Sequence, residues 1–314
     1  MPMPEPTTAA LSECLRAPTC AAEITDVQAW MAQWVPLATR GLPPMALALR
    51  GGLAADRLGW AFAAGYQAAL RALVPALPAD ALAAFCVTEE AGNRPRDIRS
   101  TLSPAPGGGY ALSGAKRWTT LGPQGAILLV TARLGQSPAE RPNLKVARVS
   151  TRQPGVTIVP MPPTPFVPEV PHAQVALADV AIADADLLPG DGYARYVKPF
   201  RTLEDLFVAA AVLAWLAGTA RLRGWPHEFR EGLAGALALL ATLAEQPAGA
   251  PETHIALAGA LQWAAELHRQ ADALWTRTPD DPAARRWQRD LPLMNVAATA
   301  RRLRAQRAWE ALER

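Results

Sequence analysis

The segment FCVTEEAGNRPRDIRSTLSPAPGGGYALSGAKRWTTLG, Phe85 to Gly122, decides how this chain is read. It opens on a short apolar run, AFCV, which stops at Thr88 and Glu89, where polar atoms and turn residues end a buried strand. A Gly-rich turn, GGGY, leads into a second strand, YALSGAKRWTT. Two strand ends then carry Thr88, Trp118 and Thr120. They offer hydroxyls, backbone N–H groups and an indole face, a rim suited to a flat heteroaromatic ligand.

On the N-terminal side, residues 9 to 83 are rich in Ala and Leu at helical spacing, broken by Gly41, Pro43, Pro44, Gly51 and Gly52. Two or three helices are expected there, with Asp26 and Asp56 as caps. From Phe85 to Leu188 the pattern changes to short β-branched runs between Pro and Gly clusters, AILLVTARL, LKVARVS, GVTIVP and AQVALADVAI. These suit an antiparallel β-domain or small barrel. The Pro-rich stretch Pro160 to Pro171 reads as an extended surface loop. Beyond Gly192 four helical segments joined by Pro- and Gly-marked loops imply a bundle, the last of them running from Arg289 to Glu313. The predicted domains are 1–83, 84–190 and 191–314.

Half of the chain is apolar and 19% is charged, a globular composition. With 31 basic against 28 acidic residues, no nucleic-acid partner is expected. The arginines 285, 286, 289, 301, 302, 304 and 307 concentrate near the C-terminus and read either as a solvated helix face or as an anion-binding surface. Cys14, Cys20 and Cys86 lack metal or disulfide spacing, and Cys86 reads as a buried small hydrophobe. The four histidines, His172, His227, His254 and His268, fall in no catalytic or metal-ligand spacing, so structural or surface roles are expected. Trp30, Trp34, Trp60, Trp215 and Trp263 sit at core-like helical spacings. No secretory leader or membrane span is read, and a cytoplasmic protein is expected.

The T-E turn, the K-x-W-T-T-x-G strand and the later VALADVAIADADLLPGDG exit, Val175 to Gly192, together resemble the acyl-CoA dehydrogenase family. The resemblance implies an α+β fold with a shortened N-terminal helical domain, a middle antiparallel β-domain or barrel, and a C-terminal four-helix bundle. It implies FAD as cofactor, with Thr88, Trp118 and Thr120 bordering the flavin and Gly92 and Asn93 near its phosphates. Arg94 or Arg96 would add a phosphate-pairing charge. The implied substrate is an acyl-CoA or a related small molecule, and the implied assembly is a homodimer or homotetramer with an electron-transfer partner.

The family reaction needs a carboxylate base facing the flavin across the substrate. In the segment TLEDLFVAAAVLAWLAG, Glu204 falls on the position used by members that place this base early in the bundle. An ordinary Glu in the first turn of a helix, favoured by the helix dipole, is the alternative reading. Asp205 stands where the family pattern has an Arg contacting CoA, and two adjacent acids would repel a polyanionic tail. Asn93 and Arg94 stand where the family turn has Ser and Asp. Two further readings therefore stay open: a non-catalytic family member acting as a binding or assembly subunit, and a flavin monooxygenase on the same scaffold.

Overall fold

The computed structural model describes residues 6–19, 22–135 and 142–313, so Cys20 lies outside the described residues. Two compact units are present, one helical and one built on a sheet. The helical unit comprises residues up to Ala72 together with 164–169 and 202–314, and the β unit comprises 73–163 and 170–201.

In the helical unit, α1 (Pro6–Arg16), α2 (Val27–Ala38), α3 (Pro44–Leu53) and α4 (Leu58–Leu73) come first. They are followed by α5 (Lys198–Leu222), α6 (His227–Ala244), α7 (Pro251–Trp275), α8 (Pro282–Asp290) and α9 (Ala298–Leu312). Asp26 caps α2 as expected, its Oδ1 accepting the Gln28 and Ala29 N–H groups at 2.9 Å each. Asp56 instead accepts the Ile24 N–H and pairs with Arg57. Trp30 stacks between Trp34 and Trp60 at 5.6 and 5.8 Å and fills the space between the first helices. The expected core residue Trp263 is 39% exposed, although the edge of its six-membered ring lies close to Gly235 of α6.

A continuous helical run extends from Tyr193 to Leu222, because a π-helical turn, Tyr193–Val197, precedes α5. By length and composition it is apolar enough to cross a membrane, yet 89% of its most apolar window is buried inside the protein. The segment expected to be one helix over 289–313 divides into the end of α8, a 3-10 turn at Leu291–Asn295 and α9. Pro292 sits in that break, where a ring without an N–H cannot continue the ladder. The Pro-rich stretch is also only partly a surface loop. Val167 is buried and its N–H donates to Asp290 Oδ1 at 2.7 Å, while Glu169 pairs with Arg289 at 2.9 Å.

The β unit holds one mixed seven-stranded sheet in the order β1 (Ala83–Cys86), β4 (Ile127–Leu134), β2 (Thr101–Pro104), β3 (Tyr110–Thr120), β7 (His172–Ile182) and β6 (Val156–Pro160). β5 (Leu144–Ser150) also pairs with β4. Four pairings are antiparallel, whereas β1 and β2 each run parallel to β4. Alternating apolar residues, among them Leu102, Leu112, Leu128, Val130, Val149 and Val175, build a fully buried core on one side of the strands.

Close backbone approach is required at Gly65 of α4, where an added Cβ would lie 2.6 Å from Val208 Cα and 2.7 Å from Phe207 O of α5. Gly65→Ala is therefore expected to destabilise the protein, since about 1–3 kcal/mol of overpacking outweighs the roughly 1 kcal/mol of helix propensity gained. A urea titration at equilibrium measures the change, and a variant as stable as the parent would contradict the packing argument.

Candidate functional site

Trp118 is set out from the sheet by a β-bulge. Lys116 pairs with Val175 of β7 and Thr119 with Ala173, so three residues of β3 span two of β7. The extra residue puts the buried Lys116 and Thr119 on the same side and expels Trp118, which is 49% exposed. Its φ of 56° lies in the left-handed region, a costly conformation for a bulky residue. The indole meets the His172 ring edge-on at 6.0 Å. Thr119 turns inward and its Oγ1 donates to Cys86 Sγ, whereas the Thr88 and Thr120 side chains, half-buried on the rim, make no hydrogen bond to the described residues.

The turn after β1 is fastened to this bulge. Arg117 donates its backbone N–H to Thr88 O at 2.8 Å, and its guanidinium pairs with Glu90. Beneath them the ammonium of Lys116, which is 0% exposed, reaches Glu89 Oε1 at 2.7 Å and Thr131 O at 2.5 Å. The Glu89 carboxylate also accepts the Arg99 N–H at 2.6 Å, the Ser100 N–H at 3.0 Å and the Ser100 hydroxyl at 2.8 Å. Burial alone would push Glu89 upward, but the Lys116 charge and these donors outweigh it and hold the carboxyl below its ordinary value. Burial also pushes the Cys86 thiol up to about 11, which suits an inert packing residue.

At the tip of the same turn, Gly92 has φ 133° and its N–H donates to Glu89 O at 3.1 Å. Asp97 Oδ2 accepts the Arg94 N–H at 3.1 Å and lies where a Cβ on Gly92 would be crowded, at 2.7 Å. Asn93 is exposed, and the Arg201 guanidinium donates to its backbone O at 3.1 Å. Arg94 and Arg96 are exposed beside them. Arg201 was not singled out in the sequence because it lies 108 residues from Asn93 and outside the motif. The β unit thus assembles five of the six sequence-derived site residues: Thr88, Gly92, Asn93, Trp118 and Thr120. An exposed indole at Trp118, and the Thr88 and Thr120 hydroxyls that no described residue engages, are groups of the kind that the face and edge of a planar cofactor such as FAD would need.

Residues 84–180, which contain this arrangement, match the model of the acyl-CoA dehydrogenase middle domain. This segment of the chain is an acyl-CoA dehydrogenase middle domain. A probable acyl-CoA dehydrogenase of Mycobacterium tuberculosis, FadE10, is 35% identical over 97 residues, a match spanning 30% of this chain and 15% of that protein. The solved butyryl-CoA dehydrogenase of Megasphaera elsdenii superposes with a TM-score of 0.73 at 16% identity, covering 100% of both chains. A structure of PigA with FAD and proline does so with a TM-score of 0.71 at 14% identity, covering 98% of this chain and 96% of that one. The acyl-CoA dehydrogenase fold is therefore the fold of the chain.

The remaining site candidate, Glu204, lies in the helical unit. Because the helix begins at Tyr193, Glu204 is in its interior and not in its first turn, so the macrodipole does not account for it. Its neighbours are anchored. Thr202 Oγ1 lies 3.3 Å from His254 Nε2 of α7, and Asp205, 8% exposed, pairs with Arg301 and Arg304 of α9 at 2.7 Å each. Asp205 is thus a packing anchor between helices, not a bare charge added to Glu204. The C-terminal arginines do not form one solvated face: Arg289 pairs with Glu169 and the buried Asp290, whereas Arg286 pairs with the exposed Glu23. His268, which is buried against Trp287, is pushed down to about 4 by burial and stays neutral.

Two predictions follow from this geometry. Trp118→Gly removes an exposed side chain and relieves a left-handed φ, so thermal unfolding is expected to show no loss of stability and a gain on the order of 1 kcal/mol; Trp60→Ala in the core loses about 3–5 kcal/mol. Because the folded pKa of Glu89 is depressed, its contribution to stability is complete above the ordinary value of 4.5 and is lost as pH falls below it. Denaturation midpoints measured as pH falls from about 5 to about 2 should drop more steeply in the parent than in Glu89→Gln; equal slopes would count against the ion pair.

Proposed function

We propose that this protein is a flavin-dependent oxidoreductase of acyl-CoA dehydrogenase type that oxidises the α,β bond of an acyl thioester. The observation that carries this reading is the bulge that holds Trp118 exposed and strained on the rim of the middle domain. FAD, when bound, supplies the hydride acceptor. Trp118 packs on the ring face and keeps water from it, while the Thr88 and Thr120 hydroxyls bond the ring edge and set its orientation. Arg201, Arg94 and Arg96 bring positive charge to the Asn93 turn, which suits the phosphate end of such a cofactor. Glu204 removes the proton from the carbon next to the thioester carbonyl. Its anchored neighbours, Thr202 and Asp205, restrict the helix turn that carries it. A cytoplasmic homo-oligomer passing electrons to a separate acceptor protein belongs to the same proposal.

One observation favours the second reading, a family member that binds or assembles without catalysis. The Asp97 carboxylate lies at the Gly92 turn and already takes the Arg94 N–H, while the Gly92 N–H is taken by Glu89. A pyrophosphate there meets a like charge and an engaged donor.

The visible spectrum of the purified protein after incubation with FAD separates the two. A yellow protein bleached anaerobically by a short-chain acyl-CoA is expected, with bleaching slowed about 10²–10⁴-fold in Glu204→Gln and flavin binding lost in Trp118→Gly. A protein that stays colourless supports the binding subunit, and a flavin reduced only by an external reductase that then consumes oxygen supports a monooxygenase.

A further inference from the structure

Glu89 and Lys116 do not lie on the rim, and stability alone gives a poor reason for them. A buried ion pair can often be replaced by apolar residues of similar volume at no loss, and the surrounding core of Leu112, Leu128 and Val130 is apolar. What an apolar pair cannot do is bond in several directions at once. Lys116 ties β3 to Thr131 of β4, and Glu89 ties the turn after β1 to Arg99 and Ser100 at the entry to β2. The contacts form a ladder: Glu89 to Lys116 inside, Glu90 to Arg117 outside, and Thr88 O to the Arg117 N–H between them. A Cβ on Gly114, which has φ 149°, would run into Ser100, so the strand is also held close at this point.

We propose that the Glu89–Lys116 pair is a positioning element that sets the register of the Thr88 turn against the Trp118 bulge, and so fixes the spacing of the two halves of the shelf on which the cofactor lies. The ring-facing part of this inference rests on the flavin reading; the register part does not. Neither side chain touches the cofactor. Each acts through the residue beside it in sequence, Glu89 through Thr88 and Lys116 through Arg117 and Trp118.

Amide hydrogen exchange of the full chain, without flavin, reads the register directly. In Lys116→Met and Glu89→Gln the Arg117 amide is expected to exchange at least tenfold faster, while Leu128 and Val149, paired across β4 and β5, stay within twofold of the parent. In the same variants the FAD dissociation constant, measured by flavin fluorescence, is expected to rise at least tenfold. Uniform acceleration across the sheet would reduce the pair to general stability and overturn the proposal. So would an unchanged Arg117 amide, or a faster one with FAD affinity unaltered. If the parent takes up no FAD, the flavin reading fails by itself and the exchange arm decides the register. If Lys116→Met does not fold, Ser100→Ala decides: it keeps both charges and removes one donor, and is expected to speed Arg117 exchange about threefold, no change overturning the proposal.

Discussion

A lysine with no exposed surface inside a β-sheet is the constraint on which the arrangement of the middle domain depends. An ammonium group taken out of water costs several kcal/mol even after relaxation, so the sheet must supply a counter-charge and acceptors at fixed points. Glu89 supplies the charge and Thr131 O an acceptor. The carboxylate in turn needs donors, which it takes from Arg99 and Ser100. Satisfying one side chain therefore fixes the end of β1, the entry to β2, the middle of β3 and the face of β4. A different register would leave a buried charge unpaired, which is far more costly than the loss of an ordinary contact.

The chain treats its other adjacent acids in the same way, separating them by burial and by partner. Glu89 goes inward to a lysine while Glu90 stays outside on Arg117. Asp205 goes inward to two arginines of α9, while Glu204 stays half-buried. Of the clustered Asp290 and Arg289, the acid is fully buried and holds both Arg289 and the Val167 N–H. Arginines 286, 289, 301 and 304, which look like part of one basic surface in the sequence, are consequently engaged by separate acids. α9 packs along α7, and Arg301 and Arg304 add a polar tie from it to Asp205 of α5.

The features legible in the sequence were those carried by local pattern. The T-E stop, the K-x-W-T-T strand, the β-rich middle and the Asp26 cap each depend on residues a few positions apart, and the fold of the family followed from them. What escaped depends on partners far along the chain. The bulge at Trp118 exists only relative to Val175 and Ala173 of β7, and the burial of Lys116 only relative to Glu89 and Thr131. Likewise the start of the α5 run was hidden because a π-helical turn at Tyr193–Val197 has no strong apolar period, so Glu204 read as a first-turn residue. The Pro-rich stretch read as surface because its anchor, Asp290, stands 123 residues away from Val167.

Strain on the rim and order beneath it are two sides of one design. A tryptophan at φ 56° sacrifices on the order of 1–2 kcal/mol in a protein whose whole stability is about 5–15 kcal/mol, and half of its surface faces solvent, so burial returns little of that cost. Such a residue persists only where its surroundings over-determine it. Here the surroundings are the bulge register to β7 on one side and the Arg117 N–H to Thr88 O on the other, both underlain by the Glu89–Lys116 pair. A flexible loop could expose an indole without strain, but it could not hold that indole in one orientation. A planar ligand repays rigidity more than reach, because a face that is already oriented loses little entropy when the ring arrives. The conformational cost at Trp118 is thus the counterpart of a preformed surface, and the buried ion pair is what keeps that surface from relaxing.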